Sequence, residues 1–390
     1  MNIIKQSSII LATHARVYSA SQAMRDFLRV HGCRNLLYIS HPLPMADVHD
    51  FDRSFAELSR GNNIVSGVRA PVRFRNVVLS SGFEALFALG RILQAGKRFD
   101  LFIGVDNMNA LLGLFLKRLG IVRRVVYYTI DYFPTRFANP FMNRLYHAID
   151  LFCVRHSDET WNVSEAMVAA RRKFHRSKGE MGSQHTVPIG IWFDQVKRLP
   201  RSQINTRLIV FSGHLVMHMG VDMLIRAFAD IRKKVPDASL VIVGGGEQME
   251  ALQKLTAILH LTKYVRFYGW VTDRKQLERI LCRGAVGVAP FNTYILDEKV
   301  KNADPGKIKD YMVCGLPVVV TDAIASARDI QIHRCGIVVP YRKEALVRAI
   351  VRFLTDEKLH TSYRKCAISY VRRFDYNTLY TINVIRALSL

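Results

Sequence analysis

The sequence is short of acidic residues and has no closely spaced cysteines. Its 390 residues contain 32 Asp plus Glu against 56 Lys plus Arg, which gives a formal net charge of +24 at pH 7. The six cysteines lie far apart without a Cys-x-x-Cys pair, which argues against a zinc ribbon and a redox motif and favours reduced thiols in a cytosolic protein. The excess of basic residues indicates a polyanionic partner. The three candidates are nucleic acid, an anionic membrane and a phosphorylated substrate.

Long apolar runs and a secretion signal are also missing. Residues 1–11 lack a charged region followed by a long apolar stretch, so we interpret them as a first strand and not as a signal peptide. The apolar stretches at 77–93 and 110–116 are interrupted by charge or are too short to span a bilayer. No basic tail or RNA-binding aromatic motif accompanies the charge, and we therefore expect no nucleic-acid partner.

Short β-branched or aromatic runs alternate with longer helical patterns along the whole chain, which is typical of βαβ units around parallel sheets. The pattern loses its period between residues 192 and 205 and restarts with a strand at Arg207–Ser212. It predicts an α/β protein with two Rossmann-like doubly wound domains that face a cleft. We place these domains at 1–200 and 201–357, and we expect the helical segment 358–390 to pack back across their junction.

Four segments of the second half follow predicted strands, where doubly wound domains bind their ligands. The first three contain Gly213-His214, Gly244-Gly245-Gly246 and Trp270-Val271. The fourth runs from Asn302 through Asp304-Pro305-Gly306-Lys307 and Asp310 to Gly315-Leu316-Pro317, and it reads as a helix between two strands. The N-terminus of that helix would offer N–H groups to a phosphate. A plain connector at Gly245 and a capping role for Asp304 are the structural alternatives.

In this order and spacing, the four segments resemble the nucleotide-sugar-binding domain of GT-B glycosyltransferases, close to family four, also called group 1. The resemblance covers about Arg207–Leu354. It implies the GT-B architecture, with an acceptor-binding domain at 1–200 and a nucleotide-sugar-binding domain at 201–357. The implied reaction transfers a hexose-type sugar from a UDP- or GDP-sugar to a lipid-linked or saccharide acceptor in bacterial cell-surface polysaccharide or glycolipid biosynthesis. It implies no metal and no cofactor besides the donor as co-substrate.

The chain departs from the family where the donor diphosphate is held. Family members usually carry Arg and Lys at the positions of His214 and Met219. The resemblance makes Lys307 the substitute cation. Because Asn302 stands at the family's first acidic position, Asp304 would contact the sugar hydroxyls, and Asp310 would contact the ribose. The donor-binding residues that we expect are Gly213, His214, Gly245, Val271, Asp304, Gly306, Lys307 and Asp310.

Two aspartates that follow strands of the first half, Asp106 and Asp131, are candidate general bases for an acceptor hydroxyl. Asp131 resembles in position the proposed base of the inverting xanthan-type glucuronosyltransferases, although capping of the following loop is an alternative role. Ile130 stands where retaining relatives often have histidine, which leaves the stereochemistry open, and of the two outcomes we favour retention. His14 and Arg16 follow the first strand, and we expect them to contact the acceptor or its phosphate.

The first half also predicts an interfacial membrane patch. Residues 69–75, 82–98 and 110–124 combine bulky apolar faces with basic flanks, which are Lys97, Arg98, Lys117, Arg118, Arg123 and Arg124. We therefore expect a cytoplasmic protein that binds peripherally to the inner face of the cell membrane. Two other functions stay open at this point. One is a GT-B-shaped nucleotide-sugar epimerase, and the other is a non-catalytic polyanion-binding protein with the same fold.

Overall fold

The chain forms two compact units, unit 1 (Met1–Ile189 and Tyr376–Leu390) and unit 2 (Gly190–Asp375). The structure, a computed structural model, describes residues 2–15, 18–42, 53–72, 74, 76–132, 134–175, 181–296 and 304–389. The chain thus enters unit 2 before the predicted boundary at residue 200, and the segment 358–390 divides at 375/376. The cause lies in the aperiodic stretch after Gly190, where Ile191, Phe193 and Val196 are buried in the apolar core of unit 2.

Unit 1 contains an eight-stranded sheet in the order β4-β3-β2-β1-β5-β6-β7-β8. The pairs β2–β3 and β3–β4 are antiparallel and all others are parallel. Its strands are β1 (Ser8–Ala15), β2 (Asn35–Pro42), β3 (Phe55–Arg60), β4 (Asn63–Arg69), β5 (Phe99–Val105), β6 (Val122–Thr129), β7 (Glu159–Asn162) and β8 (Gln184–Thr186). Its helices are α1 (Asn2–Gln6), α2 (Ala20–Val30), α3 (Val77–Gln94), α4 (Asn107–Arg118), α5 (Pro140–His156) and α6 (Glu165–His175).

Unit 2 contains a six-stranded, wholly parallel sheet in the order β11-β10-β9-β12-β13-β14. Its strands are β9 (Leu208–Ser212), β10 (Ser239–Val243), β11 (Val265–Phe267), β12 (Val286–Ala289), β13 (Val318–Thr321) and β14 (Gly336–Val339). Its helices are α7 (Val221–Lys234), α8 (Met249–Ile258), α9 (Arg274–Leu281), α10 (Gly306–Val313), α11 (Ala327–Ile332), α12 (Lys343–Thr355) and α13 (Glu357–Val371). Alternate strand residues enter opposite apolar layers, as Ile209 and Val210 do, because both faces of the sheet are covered.

The last helix, α14 (Tyr376–Ser389), belongs to unit 1. The Tyr380 hydroxyl donates to the carbonyl oxygen of Ala20 at 2.9 Å. The Arg386 guanidinium donates to both carboxylate oxygens of the buried Glu159 at 2.9 and 3.0 Å. These contacts connect the end of the chain to α2 and β7.

The predicted α/β class with two doubly wound sheets is confirmed. The hairpin β3–β4 and the short helices α1 and α11 were not predicted. Strand β4 is exposed along its whole length, so burial imposes no alternation on its sequence. Within the part of the chain that the structure describes, every helix falls short of the length and apolarity needed to cross a bilayer.

Candidate functional site

In unit 2 two glycine turns meet at the carboxyl ends of β9 and β10. Gly213 has a φ of +143° and Gly244 a φ of +137°, values that favour glycine. A Cβ added to Gly244 would overlap the carbonyl oxygen of Gly213, so the two turns are in direct backbone contact. The N–H of Gly213 donates to Val243 O at 2.9 Å, and the N–H of Gly244 donates to Gly269 O at 2.8 Å. We call the turn residues Gly213, Gly244 and Gly245 the glycine shelf.

The ammonium group of Lys307 lies against the glycine shelf. A Cβ on Gly213 would come within 2.5 Å of Lys307 Nζ. The same nitrogen lies 3.2 Å from Met219 Sδ and 4.9 and 5.3 Å from the ring centroids of Phe211 and Phe291. Among the described residues no carboxylate pairs with it. Burial lowers the pKa of Lys307 to about 7, so the free amine is partly deprotonated near neutral pH, and an anion bound beside it would favour the charged form.

Helix α10 carries Lys307 in its first turn and is anchored by Tyr311. Its N-cap residue is Pro305, which makes no side-chain capping hydrogen bond. The buried Tyr311 hydroxyl accepts the N–H of Ser212 at 2.6 Å and lies 3.4 Å from Val288 O. Gly287 leaves room for the ring, because a Cβ there would collide with it. This anchor places the start of α10 beside the ends of β9 and β12.

Asp304 and Asp310 both form ion pairs with cations of unit 2. Asp304 pairs with the buried Lys309, and Asp310 pairs with Arg274 at 2.7 Å. Burial alone would lower the pKa of Arg274, but Asp310 outweighs it and the pKa is raised. The two carboxylates therefore help to fix the loop and helix around Lys307, and no ion pair joins either of them to Lys307 itself.

An aromatic side chain covers the other end of the glycine shelf. Trp270 is 50% exposed, and a Cβ on Gly245 would come within 2.5 Å of its Nε1. His214 packs edge-on against this indole at 4.6 Å between ring centroids. Val271 packs partly against the core beside it. The structure thus brings together Gly213, His214, Gly245 and Lys307, with Gly306 at the start of α10.

In unit 1, His14 at the end of β1 bridges two carboxylates. Its Nδ1 lies 2.7 Å from Asp106 Oδ2, and its Nε2 lies 3.0 Å from Glu84 Oε2. Asp106 also accepts the backbone N–H of Asn109 at 2.9 Å and its side-chain amide at 2.7 Å. The Ser80 hydroxyl donates to Glu84 at 2.7 Å. We call Glu84, His14 and Asp106 the carboxylate–histidine cluster.

The groups of the carboxylate–histidine cluster shift each other's pKa values. Burial alone would lower the pKa of His14, but Asp106 and then Glu84 outweigh it and raise the pKa to about 10. Burial and the charge on His14 lower the pKa of the neighbouring His41 to about 3. His14 outweighs burial at Asp106 and lowers its pKa, which keeps this carboxylate ionised and makes it a weaker base. Asp106 also has a φ of +122°, a strained conformation of the kind found at functional sites.

The second candidate base, Asp131, follows β6, the neighbour of β5 in the sheet. Its side chain is 48% exposed, and both carboxylate oxygens lie 2.9 Å from Arg136 Nη1. Arg16 lies outside the described residues. Glu84 and Asn109 were not predicted. The available signal for Glu84 was its position as a lone acid in the apolar stretch 77–93. In the described ranges no group of three or more His, Cys, Asp and Glu side chains is arranged to hold a metal ion.

Comparisons with known proteins bear on both units. Residues 206–356 match the family model for glycosyl transferases group 1. A GDP-mannose-dependent alpha-(1-6)-phosphatidylinositol monomannoside mannosyltransferase of Mycobacterium tuberculosis is 27% identical over 213 residues, 52% of this chain and 54% of that protein. The Mycolicibacterium smegmatis protein of the same name is 32% identical over 106 residues, 25% of this chain and 28% of that protein. The chain thus spans about half the length, or less, of the curated relatives that it matches.

Solved structures match nearly the whole chain. The Anabaena protein HepE in complex with UDP has a TM-score of 0.71 and 16% identity over 98% of this chain and 100% of that one. The same protein has also been solved with UDP-glucose, with a TM-score of 0.67 and the same identity and coverage. Residues 206–356 therefore form a domain of the group 1 glycosyltransferase type, and the fold of the chain is GT-B.

Proposed function

We propose that this protein transfers a hexose-type sugar from a nucleoside diphosphate sugar to a lipid-linked or saccharide acceptor. The observation that carries the proposal is the uncompensated amine of Lys307 against the glycine shelf. An anion bound there gains a charge-assisted hydrogen bond and restores the proton that burial disfavours. The absence of side chains on the shelf is what allows Lys307 and Trp270 to lie directly against its backbone.

The donor diphosphate would lie between Lys307 and the N-terminus of α10, where the N-cap residue Pro305 makes no side-chain capping hydrogen bond. Helix N–H groups and one cation stabilise the negative charge that grows on the leaving diphosphate, so we expect the reaction to proceed without a metal. A donor with UDP or GDP is supported by the UDP and UDP-glucose bound to the Anabaena protein and by the GDP-mannose dependence in the mycobacterial names.

Unit 1 would bind the acceptor at the ends of β1, β5 and β6. Asp106 is held ionised by His14 and so suits a hydrogen bond from an acceptor hydroxyl. Asp131 is half-exposed and remains the candidate base, although Arg136 has to release it first. We propose retention of configuration. The phosphatidylinositol mannoside in the name of the mycobacterial relatives supports a lipid-linked acceptor and a place in bacterial cell-surface glycolipid or polysaccharide synthesis.

A lipid-linked acceptor requires contact with a membrane, and α3 has a suitable face. Leu79, Leu86 and Leu93 recur at seven-residue intervals and are 59%, 69% and 56% exposed. Two predicted basic flanks do not serve this purpose, because Lys117 pairs with Asp158 and Arg124 is buried against Ala387 O. We propose that α3 lies against the cytoplasmic face of the cell membrane.

The test is calorimetric titration with UDP-glucose and GDP-mannose, followed by turnover with a lipid extract and by determination of the anomeric configuration of the product. Lys307→Ala should lower donor affinity at least tenfold, since it removes the ammonium group that lies against the shelf. The matched control is Lys275→Ala, which removes an exposed lysine of α9 and should bind like the parent.

Three results would contradict the proposal. Full donor affinity in Lys307→Ala would remove its phosphate role. Interconversion of the donor sugar without acceptor would identify an epimerase. Failure to bind any nucleotide sugar while still binding polyanions would identify a non-catalytic protein with the same fold.

A further inference from the structure

Four basic side chains of unit 1 surround one pocket at the end of the sheet where β1 and β2 begin. His14 lies at the opposite end, where β1 finishes. Ser8 and Asn35 are the first residues of β1 and β2 and pair in register, whereas His14 and His41 pair near the other ends of these strands. At about 3.3 Å per residue along β1, the two ends of the sheet are about 20 Å apart. The open pocket at the end where these strands begin measures about 540 Å³ and is lined by Ser8, Arg34, Asn35, Arg60, Lys97 and Arg98. We call it the basic pocket.

The cations of the basic pocket are not neutralised by the protein. Arg34, Arg60, Lys97 and Arg98 are all exposed, and among the described residues none of them forms an ion pair. The nearby carboxylate of Asp100 instead accepts the backbone N–H of Ser8 at 2.7 Å. The four side chains come from three separate parts of the chain, the connection before β2, the last residue of β3 and the connection before β5, so the fold assembles them.

One of these cations is held in place by a neutral partner. Lys97 Nζ donates to Asn35 Oδ1 at 3.0 Å, and the amide of Asn35 donates to Ser8 Oγ at 2.9 Å. Asn35 and Ser8 are 5% and 2% exposed. A buried amide thus orients the lysine while leaving its charge uncompensated. A cation that is fixed in this way pays less entropy when it binds an anion.

We propose that the basic pocket is a second phosphate-binding site, separate from the donor site of unit 2. Three guanidinium groups and one ammonium group around a concave surface match an oxyanion with two or more charges, because arginine binds phosphate oxygens in a bidentate manner. The volume suits a diphosphate or a phosphorylated headgroup. The ligand is a phosphate-bearing group, either free in solution or on a phospholipid.

The experiment uses the protein with Lys307→Ala as background, which we expect to weaken phosphate binding at the proposed donor site. Inorganic pyrophosphate is titrated by calorimetry at low salt into this background, into Arg34→Gln/Arg60→Gln added to it, and into the control Arg144→Gln/Arg352→Gln added to it. The control removes two exposed arginines that form no ion pair in the described chain, so the net charge of both variants is equal. Vesicles of phosphatidylglycerol and phosphatidylcholine form the second arm.

The pocket variant should weaken pyrophosphate or vesicle binding at least tenfold, and the control should weaken it less than twofold. Dependence on the pocket in the pyrophosphate arm identifies a free phosphate compound, and dependence in the vesicle arm alone identifies a lipid headgroup. Equal losses in both variants, or no binding of either probe, would overturn the proposal. Because the Lys307→Ala background is common to all samples, failure here leaves the proposed sugar transfer untouched.

Discussion

At the scale of single residues, the pKa values of the two basic groups at the candidate sites, Lys307 and His14, are shifted in opposite directions. Lys307 has no carboxylate partner in the described chain, and burial lowers its pKa to about 7. His14 has two carboxylate partners that outweigh burial and raise its pKa to about 10. A bound anion therefore favours the protonated form of Lys307 near neutral pH, whereas His14 is already protonated there in the free protein.

Donor affinity should decrease as the pH rises above 7. A bound diphosphate raises the pKa of Lys307 above its free value of about 7, so donor binding takes up a proton between these two values. We expect constant affinity below pH 6 and a loss of up to about tenfold per pH unit from pH 7 to 9. Calorimetry in buffers of different ionisation enthalpy measures the proton uptake. Lys307→Arg should remove the pH dependence, because arginine stays charged. A flat profile in the parent would rule out this role.

His14→Gln should destabilise unit 1 most at low pH. The folded-state pKa of about 10 exceeds the ordinary value of 6.5, so the contribution of His14 is complete below pH 6.5 and disappears as the pH rises through 10. We expect a loss of about 2 kcal/mol at pH 6 and little difference near pH 10, because the variant leaves two carboxylates without a cation. Urea unfolding at both pH values measures this, with the exposed His156→Gln as control. A loss that does not change with pH would refute the assigned coupling.

At the scale of elements, the sequence was most informative where burial and turn chemistry agree. The strands β9, β10 and β12 are continuous apolar runs because both faces of the sheet are covered, and glycines end two of them. The start of α10 was predicted from Pro305 and Gly306. Strand β4 escaped prediction because both of its faces are exposed. The exposed hairpin β3–β4 nevertheless brings Arg60 to the basic pocket.

Tyr311→Phe tests how α10 is held at the donor site. The variant leaves the partly buried N–H of Ser212 without its acceptor, which we expect to cost about 1–3 kcal/mol of unfolding free energy. Donor affinity should fall as well, since the start of α10 loses its connection to β9. Chemical denaturation and calorimetric titration measure the two effects. The control is Tyr294→Phe, whose ring is 80% exposed and whose stability should match the parent. Equal stability of both variants would contradict the anchor.

At the scale of the whole molecule, the net charge of +24 is spread over both units, but its members differ in availability. Lys309, Arg171 and Arg386 are engaged in ion pairs with Asp304, Asp150 and Glu159. Among the described residues, the cations of the basic pocket and Lys307 form no ion pair, so a ligand can bind to them. Counting charges along the sequence cannot separate these groups, since the partners of a side chain are set by the fold.

Membrane binding should depend on the apolar face of α3 and should weaken with salt. Leu86→Asp/Leu93→Asp places two charges on that exposed face, and we expect at least tenfold weaker flotation with phosphatidylglycerol vesicles. The matched control is Ile258→Asp/Ile332→Asp, which changes two equally exposed residues of unit 2 and should float like the parent. Raising ionic strength should weaken the binding of the parent and of the control to vesicles, because basic side chains supply the electrostatic attraction. Equal flotation of all three proteins would exclude α3 as the contact.

The sequence by itself determined the class of fold, the order of most strands and helices, and the segments that surround the donor site. These features depend on local patterns of apolar residues, glycines and prolines, which act over a few residues and can be read directly. The tertiary structure decided which charged groups meet. It placed Glu84 on His14, Arg274 on Asp310 and Arg34 beside Lys97. Such pairs join residues far apart in the chain, and their ionisation follows from burial and distance, which exist only once the chain is folded.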